Sequence, residues 1–286
     1  MKARCPYENL YIYFLRGLIK REEEKMLGKG FLGNWVEDGT CFLFFSEPAY
    51  DLVAHLLEIR GDLELLEQYE MSYEQWQGGT LEPITVSEFF IVPPWGSDVA
   101  AEGGKRIILD PGVVFGNGLH PTTRDCLRAL SFVRKGFAFK RVLDLGTGTG
   151  ILAVASGLLG AEQVLAVDLN PLCAQTALKN VMLNRLGQVV EVMEKNALEV
   201  VREKADLVIA NIHYEVIKEL LEKDRFRQVP RVIISGLMRS QARQVQQDLR
   251  KYEIPVIREW EHEMTWYTIL AGGRKVHGGR KQKNSH

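Results

Sequence analysis

The run Val142-Leu143-Asp144-Leu145-Gly146-Thr147-Gly148-Thr149-Gly150 constrains the fold of this chain more than any other segment. An apolar strand passes directly into glycines at alternate positions, and an apolar helix starts at Ile151. Glycines there let the backbone turn tightly and approach a ligand, at the carboxyl end of a first strand, where open α/β sheets bind nucleotides. The downstream sequence continues the pattern. Strands are predicted at Arg141 to Leu145, Gln163 to Val167, Val189 to Met193, Asp206 to Ala210, Val232 to Ser235, Pro255 to Glu259 and Trp266 to Ala271. Helices fall between the first five, notably Ile151 to Leu159, Pro171 to Asn184 and Ser240 to Tyr252. Such alternation specifies an α/β fold of Rossmann-like type, a mostly parallel sheet of seven strands covered on both faces. The last two strands follow each other without a helix, which predicts an antiparallel edge.

The spacing of the glycines selects the ligand class. A dinucleotide fingerprint needs glycine or alanine one position after Gly150, and that place holds Ile151. A pyrophosphate cofactor is therefore disfavoured against S-adenosylmethionine, whose two ends do not require phosphate coordination. Asp144, Gly146, Thr147, Gly148 and Gly150 form the predicted cradle. Asp168 ends the second strand and can accept two hydrogen bonds from a ribose diol, with Asn170-Pro171 behind it as a helix cap and first-turn pair. Asn196, after the third strand, reads either as an adenine contact or as a capping asparagine. Asn211-Ile212-His213-Tyr214 ends the fourth strand, beside the expected position of the sulfonium methyl. The Asn211 amide can accept a hydrogen bond from an incoming amine and the Tyr214 ring can hold a cation, although an asparagine there is also an ordinary helix cap.

Residues 1–76 read as a small α+β unit. Asn9 to Leu15, Phe31 to Val36 and Thr40 to Phe45 are aromatic and β-branched, and the Asp38-Gly39 step between the last two predicts a hairpin. Leu52, Val53, Leu56, Leu57 and Ile59 recur at helical spacing before Gly61, and Leu63 to Glu70 offers another strand. Its role is either accessory or substrate docking. Residues 77–104 are predicted to link this unit to the domain at 105–273, with a short strand at Phe89 to Val92 stopped by Pro93-Pro94. The tail at 274–286 carries Arg274, Lys275, Arg280, Lys281 and Lys283 among glycines and is predicted to be disordered.

The 36 basic residues nearly balance the 37 acidic ones, so any nucleic-acid contact is local, and the tail is the one segment suited to it. Cys5, Cys41, Cys126 and Cys173 are scattered without a CxxC pair, which fits neither a zinc site nor a disulfide scaffold. No apolar run approaches a membrane span and Met1 to Asn9 is not a secretion signal, so a cytoplasmic protein without bound metal is expected.

A longer motif carries a family resemblance. Leu109 to Thr123, reading LDPGVVFGNGLHPTT, resembles the DPG...FGTGxHPTT segment of the ribosomal protein L11 methyltransferases, the PrmA family. So do Pro93-Pro94-Trp95, the DLGTGTG loop, Asn211-Ile212, and Ser235-Gly236-Leu237 with Ser240-Gln241, in family order over residues 74–271. The resemblance implies methylation of lysine or terminal amines of that ribosomal protein, with the N-terminal unit docking the substrate. It implies that Phe115, Gly116, Gly118, His120 and Thr122 close over the cofactor while Asn211 faces the target nitrogen. Asn117 and Leu119 stand where the family commonly has threonine. The expected mouth for the amine is lined by Trp95, Phe115 and Tyr214, with Phe115, Tyr214 and Asn211 as the residues next to the reaction. Two other functions compete: transfer to another protein or to a planar amine of a nucleic acid or glutamine, and a noncatalytic ribosome or RNA-binding factor acting through the tail.

Overall fold

The computed structural model describes residues 5–96 and 103–273. The basic tail expected to be disordered and to meet nucleic acid lies outside the described residues. Aromatic and β-branched residues at the N-terminus pair into an antiparallel sheet of order β2-β3-β1-β4, from β1 (Asn9–Arg16), β2 (Phe31–Glu37), β3 (Thr40–Phe45) and β4 (Glu64–Ser72). A single turn, α1 (Arg21–Glu24), follows β1, and α2 (Tyr50–Ile59) follows β3. The β2–β3 hairpin closes through Asp38 and Gly39, both at positive φ, as the Asp-Gly step requires. Alternation along the strands sends Tyr13, Leu15, Cys41, Leu43 and Phe45 against Val53 and Leu56 of α2. Leu10, Ile12 and Phe44 point the opposite way, into the body of the protein.

The segment expected as a linker has structure of its own. Helix α3 (Tyr73–Gln77) is capped by Ser72, and β5 (Ile84–Val86) and β6 (Phe89–Val92) join β7 (Lys105–Ile108) in a three-stranded sheet. Val86, Phe89, Ile91 and Ile107 are buried in the same core as α4 (Pro121–Gly136) and α5 (Ile151–Leu158). An apolar strand as short as Phe89 to Val92 cannot satisfy its backbone alone, and β7 supplies the partner. Helix α4 is not among the helices read from the sequence, although His120 caps it and Pro121 opens it.

The large sheet follows the predicted order closely. It is built from β8 (Arg141–Leu145), β9 (Gln163–Asp168), β10 (Val190–Glu194), β11 (Leu207–Asn211), β12 (Arg231–Met238), β13 (Val256–His262) and β14 (Trp266–Ala271). Their order is β10-β9-β8-β11-β12-β14-β13, with β14 antiparallel to both its neighbours and the other pairs parallel. The intervening helices are α6 (Pro171–Leu183), α7 (Ala197–Val200), α8 (Tyr214–Glu222), α9 (Asp224–Arg227) and α10 (Arg239–Lys251). Val142, Ile209, Ile233 and Leu270 face α4 and α5, while Leu143, Val208, Ile234 and Ile269 face α8 to α10. Burying one such side chain contributes about 1.5–3 kcal/mol, and both faces are dry. Among the described residues no helix is long and apolar enough to cross a membrane.

The two parts meet through a further core, in which Leu10, Ile12 and Phe44 pack with Val113, Val114, Leu172 and Cys173. Gly33 lies so close to α6 that a Cβ would stand 2.4 Å from Leu172 Cδ1. Asn170, the cap of α6, donates through Nδ2 to the carbonyl oxygen of Val36 at 3.2 Å.

Candidate active site

Gly146, Gly148 and Gly150 adopt φ of 72°, 54° and 81°, the left-handed region that favours glycine. Space is restrictive as well: a Cβ on Gly146 would lie 1.8 Å from Ile212 Cγ2. The amides of Gly146 and Thr147 donate to the Val167 carbonyl at 2.8 and 2.9 Å, which ties the loop to β9. Asp144 is buried beneath the loop, its Oδ2 accepting from the Thr147 hydroxyl at 2.6 Å. Its Oδ1 has no donor among the described residues, and burial pushes its carboxyl up to about 7 despite the Thr147 bond.

Asp168 leaves β9 half-buried, where burial raises its pKa and backbone donors oppose the rise. Oδ2 accepts from the Gly148 amide and Oδ1 from the Asn170 amide, each at 3.0 Å. Each oxygen keeps acceptor capacity for a hydroxyl, so the carboxylate is oriented for a diol rather than spent. Leu169 beside it is 70% exposed. Asn196 caps α7 by accepting from the Leu198 amide at 2.9 Å, the structural role that was weighed for it.

The segment from Leu109 to Thr122 lies over this loop. The Phe115 carbonyl accepts from the Thr149 amide at 3.3 Å and the Gly116 carbonyl from the Thr149 hydroxyl at 2.8 Å. Gly118 turns at φ 87° against Ile84 and Ile91. His120 Nδ1 lies 2.8 Å from the Thr122 hydroxyl, and Thr122, which is buried, passes its carbonyl to the Ser235 hydroxyl at 3.5 Å.

Residues that sequence reasoning did not single out hold this segment from both sides. Asn180, fully buried on α6, accepts from the Asp110 amide at 2.8 Å and donates to the carbonyls of Asp110 and Thr149, each at 2.9 Å. Asn184, one turn later, exchanges both backbone bonds of Ile108. From the N-terminal side, Tyr73 and Gln77 donate to the Gly112 carbonyl, each at 2.7 Å, and Trp76 donates to the Val113 carbonyl at 3.1 Å. The i, i+4 spacing of Asn180 and Asn184 was the available signal, but a paired amide on a helix says nothing of its partner until the helix is docked.

On the acceptor side, Asn211 ends β11 and its Oδ1 would lie 3.3 Å from a Cβ on Gly236, so that glycine leaves room for the amide. Phe115 is 53% exposed and its ring stands 5.0 Å from His120, which stands 5.0 Å from Trp266. Burial lowers the His120 pKa, which keeps this aromatic series uncharged at neutral pH. The other two aromatic residues expected at the mouth make different contacts. Tyr214 packs with the core under α8 and has Lys218 Nζ 5.7 Å from its ring, while Trp95 packs edge-on to Tyr7 at 6.0 Å.

A central parallel sheet, a glycine loop after β8, an acid after β9 and an antiparallel β14 inserted beside β12 define the Rossmann-like methyltransferase fold. The chain belongs to the ribosomal protein L11 methyltransferase (PrmA) family, whose sequence model matches residues 52–273. It is similar to the ribosomal protein L11 methyltransferase of Geobacillus kaustophilus, at 38% identity over 205 residues that cover 67% of this chain and 64% of that relative, just under two thirds of its length. That of Listeria monocytogenes serotype 4b is 30% identical over 275 residues, 88% of this chain and 86% of the relative. Among solved structures, the ribosomal protein L11 methylase of Lactobacillus delbrueckii subsp. bulgaricus matches with a TM-score of 0.60 and 29% identity, over 67% of this chain and 98% of that one.

Proposed function

We propose that this chain is an S-adenosylmethionine-dependent methyltransferase that modifies lysine or terminal amine nitrogens of ribosomal protein L11. The observation that carries the reading is the joining of three parts into one cleft edge: the glycine loop, the oriented Asp168 carboxylate and the Phe115 segment laid over the loop. Similarity to proteins named for methylating L11 supports the substrate.

The residues present fit the cofactor. The buried Asp144 Oδ1 lacks a donor, and the ammonium of the cofactor's amino-acid end is a donor that would satisfy it. Asp168 would hold the ribose diol, and exposed Leu169 offers an apolar surface beside it for the adenine. When bound, the cofactor supplies an electrophilic methyl group.

Direct displacement at that methyl needs alignment more than reactive side chains. Asn211 Oδ1 accepts a hydrogen bond from the incoming amine and orients its lone pair. The amine must be neutral to attack, whereas a free lysine, with a pKa near 10.4, is mostly protonated at neutral pH. Phe115, with the uncharged His120 and Trp266 behind it, excludes water on one side of the amine and lowers that pKa by desolvation. Water carries the released proton away.

The test is the intact mass of purified ribosomal protein L11 after incubation with the chain and S-adenosylmethionine. Mass gained in methylene steps is expected. No gain, with cofactor binding intact, would redirect the search to another acceptor.

A further inference from the structure

We propose that the uncovered half of the N-terminal sheet, bearing Phe14, Trp35, Phe42 and Tyr69, is the docking face for a lysine-bearing segment of the protein substrate; this rests on the protein-methyltransferase reading above. The face follows from strand register. Phe42 lies opposite Phe14 and Trp35, Phe44 lies opposite Ile12 and Gly33, and Tyr69 and Glu67 lie opposite Ile12 and Phe14. Side chains directly opposite share a face, so these residues form one continuous surface.

Half of that surface is already an interface. Leu10, Ile12 and Phe44 are buried against Val113, Val114 and Leu172. Beyond them, Phe14 and Phe42 stack with ring centroids 4.2 Å apart and planes at 6°, yet both rings and Trp35 stay half open to solvent. Tyr69 is 39% exposed. A contiguous apolar patch of this kind, rimmed by polar groups and running on from a packed interface, marks an interaction site.

The rim selects the partner. Trp35 Nε1 donates to Glu37 Oε2 at 3.4 Å and the Tyr69 hydroxyl donates to Glu67, which sets carboxylates against aromatic rings, with Asp38 beside Glu37 in the hairpin turn. Arg16, the cation at the end of β1, is paired with Glu64. Aromatic faces next to carboxylates attract ammonium and guanidinium groups, and the same carboxylates repel a phosphate backbone. A basic protein segment fits this face and RNA does not.

Position links the face to the reaction. Val36, next to Trp35, accepts from Asn170, two residues beyond Asp168. A segment lying across Trp35 and Phe42 is therefore beside the carboxyl edge of the large sheet, where Asp168 and Asn211 end their strands.

The experiment is calorimetric titration of the full chain with ribosomal protein L11, comparing the unaltered chain with the Glu37→Lys, Glu67→Lys double variant and with Phe42→Ala. Both glutamates are exposed, and S-adenosylmethionine affinity measured on each variant confirms that it is folded. The expected result is L11 binding that weakens about 10-fold on charge reversal and severalfold in Phe42→Ala, with cofactor affinity unchanged. Equal L11 affinity in the charge-reversed chain, or no L11 binding by the unaltered chain, overturns the proposal. So does a single-stranded RNA oligomer that binds through Phe42 and gains affinity from the two lysines. Intact-mass analysis of the same mixtures separates the two readings: binding lost on charge reversal without any methyl gain in the unaltered mixture rejects the enzyme assignment and leaves the docking face standing.

Discussion

Asn117 Nδ2 donates to both the side-chain oxygen and the backbone carbonyl of Gln77, each at 2.8 Å. Gln77 in turn donates to the Gly112 carbonyl at 2.7 Å, so one buried glutamine at the end of α3 grips both ends of the loop that carries Phe115. Asn117 also accepts from the Leu119 amide at 2.8 Å. A threonine, common at this place in the family, has one hydroxyl donor and cannot make both bonds to Gln77. The asparagine is therefore matched to the glutamine opposite.

Gln77→Ala leaves the Gly112 carbonyl and the Asn117 amide without these partners, and a loss of about 1–3 kcal/mol in stability is expected. Asn117→Thr is expected to cost less. Urea unfolding of both single variants and the double variant should give a coupling of about 0.5–3 kcal/mol; additive effects would show that the two residues act separately. Because Phe115 lies between the gripped ends, turnover should fall in Gln77→Ala by more than the affinity for S-adenosylmethionine.

Asn180→Asp keeps the shape of the side chain and removes the amide that donates to Asp110 and Thr149. The new carboxylate would be buried against two carbonyl oxygens, and a destabilisation of about 3 kcal/mol follows. Differential scanning calorimetry should show the melting midpoint lower by roughly 5–10 °C. An unchanged midpoint would mean that the loop and helix are not held through this residue.

Asp168→Ala and Asn211→Ala should separate binding from chemistry. The first removes the acceptor placed for the ribose and should weaken cofactor binding about 10- to 100-fold, about 1.4–2.7 kcal/mol. The second should leave cofactor affinity nearly intact and reduce turnover by a similar factor. Isothermal titration with single-turnover kinetics checks both, and undiminished cofactor binding in Asp168→Ala would remove the ribose assignment.

Asp144 gives a pH signature. Its carboxyl is pushed up to about 7 from an ordinary 3.8 by burial, so between those values the folded protein holds a proton that the unfolded chain has released. Stability from this group is therefore highest below about pH 4, falls as pH rises toward 7 and is level above, by up to about 4 kcal/mol in all. Asp144→Asn should flatten that part of the profile, so the melting difference between variant and wild type should widen in the variant's favour from pH 5 to pH 8. Binding a cation beneath the glycine loop should release a proton near neutral pH, measurable by titration in buffers of different ionisation enthalpy.

Much of this molecule is written locally. Three alternating glycines after a strand, an acid at the next strand's end and Asn170-Pro171 behind it specify dihedral angles and caps that near neighbours in sequence enforce, and the structure reproduces them. Helix α4 was equally local, through His120 and Pro121, but its start is embedded in a glycine-rich loop, where the cap is read as loop chemistry. The length and pairing of β5 and β6 were not local, because a strand of four residues acquires meaning only from β7 beside it.

The sequence by itself determined the parallel sheet, the glycine cradle, the position of Asp168 and the family, because each depends on residues within one strand-turn-helix unit. Tertiary structure alone decided which aromatic residues stand together. It set Phe115 beside His120 and Trp266, turned Tyr214 to Lys218 and Trp95 to Tyr7, and brought Gln77 and Asn180 to opposite sides of one loop. Those pairings join residues from 40 to 146 positions apart, and periodicity, which records the face a side chain takes, carries no information about what the opposing face presents.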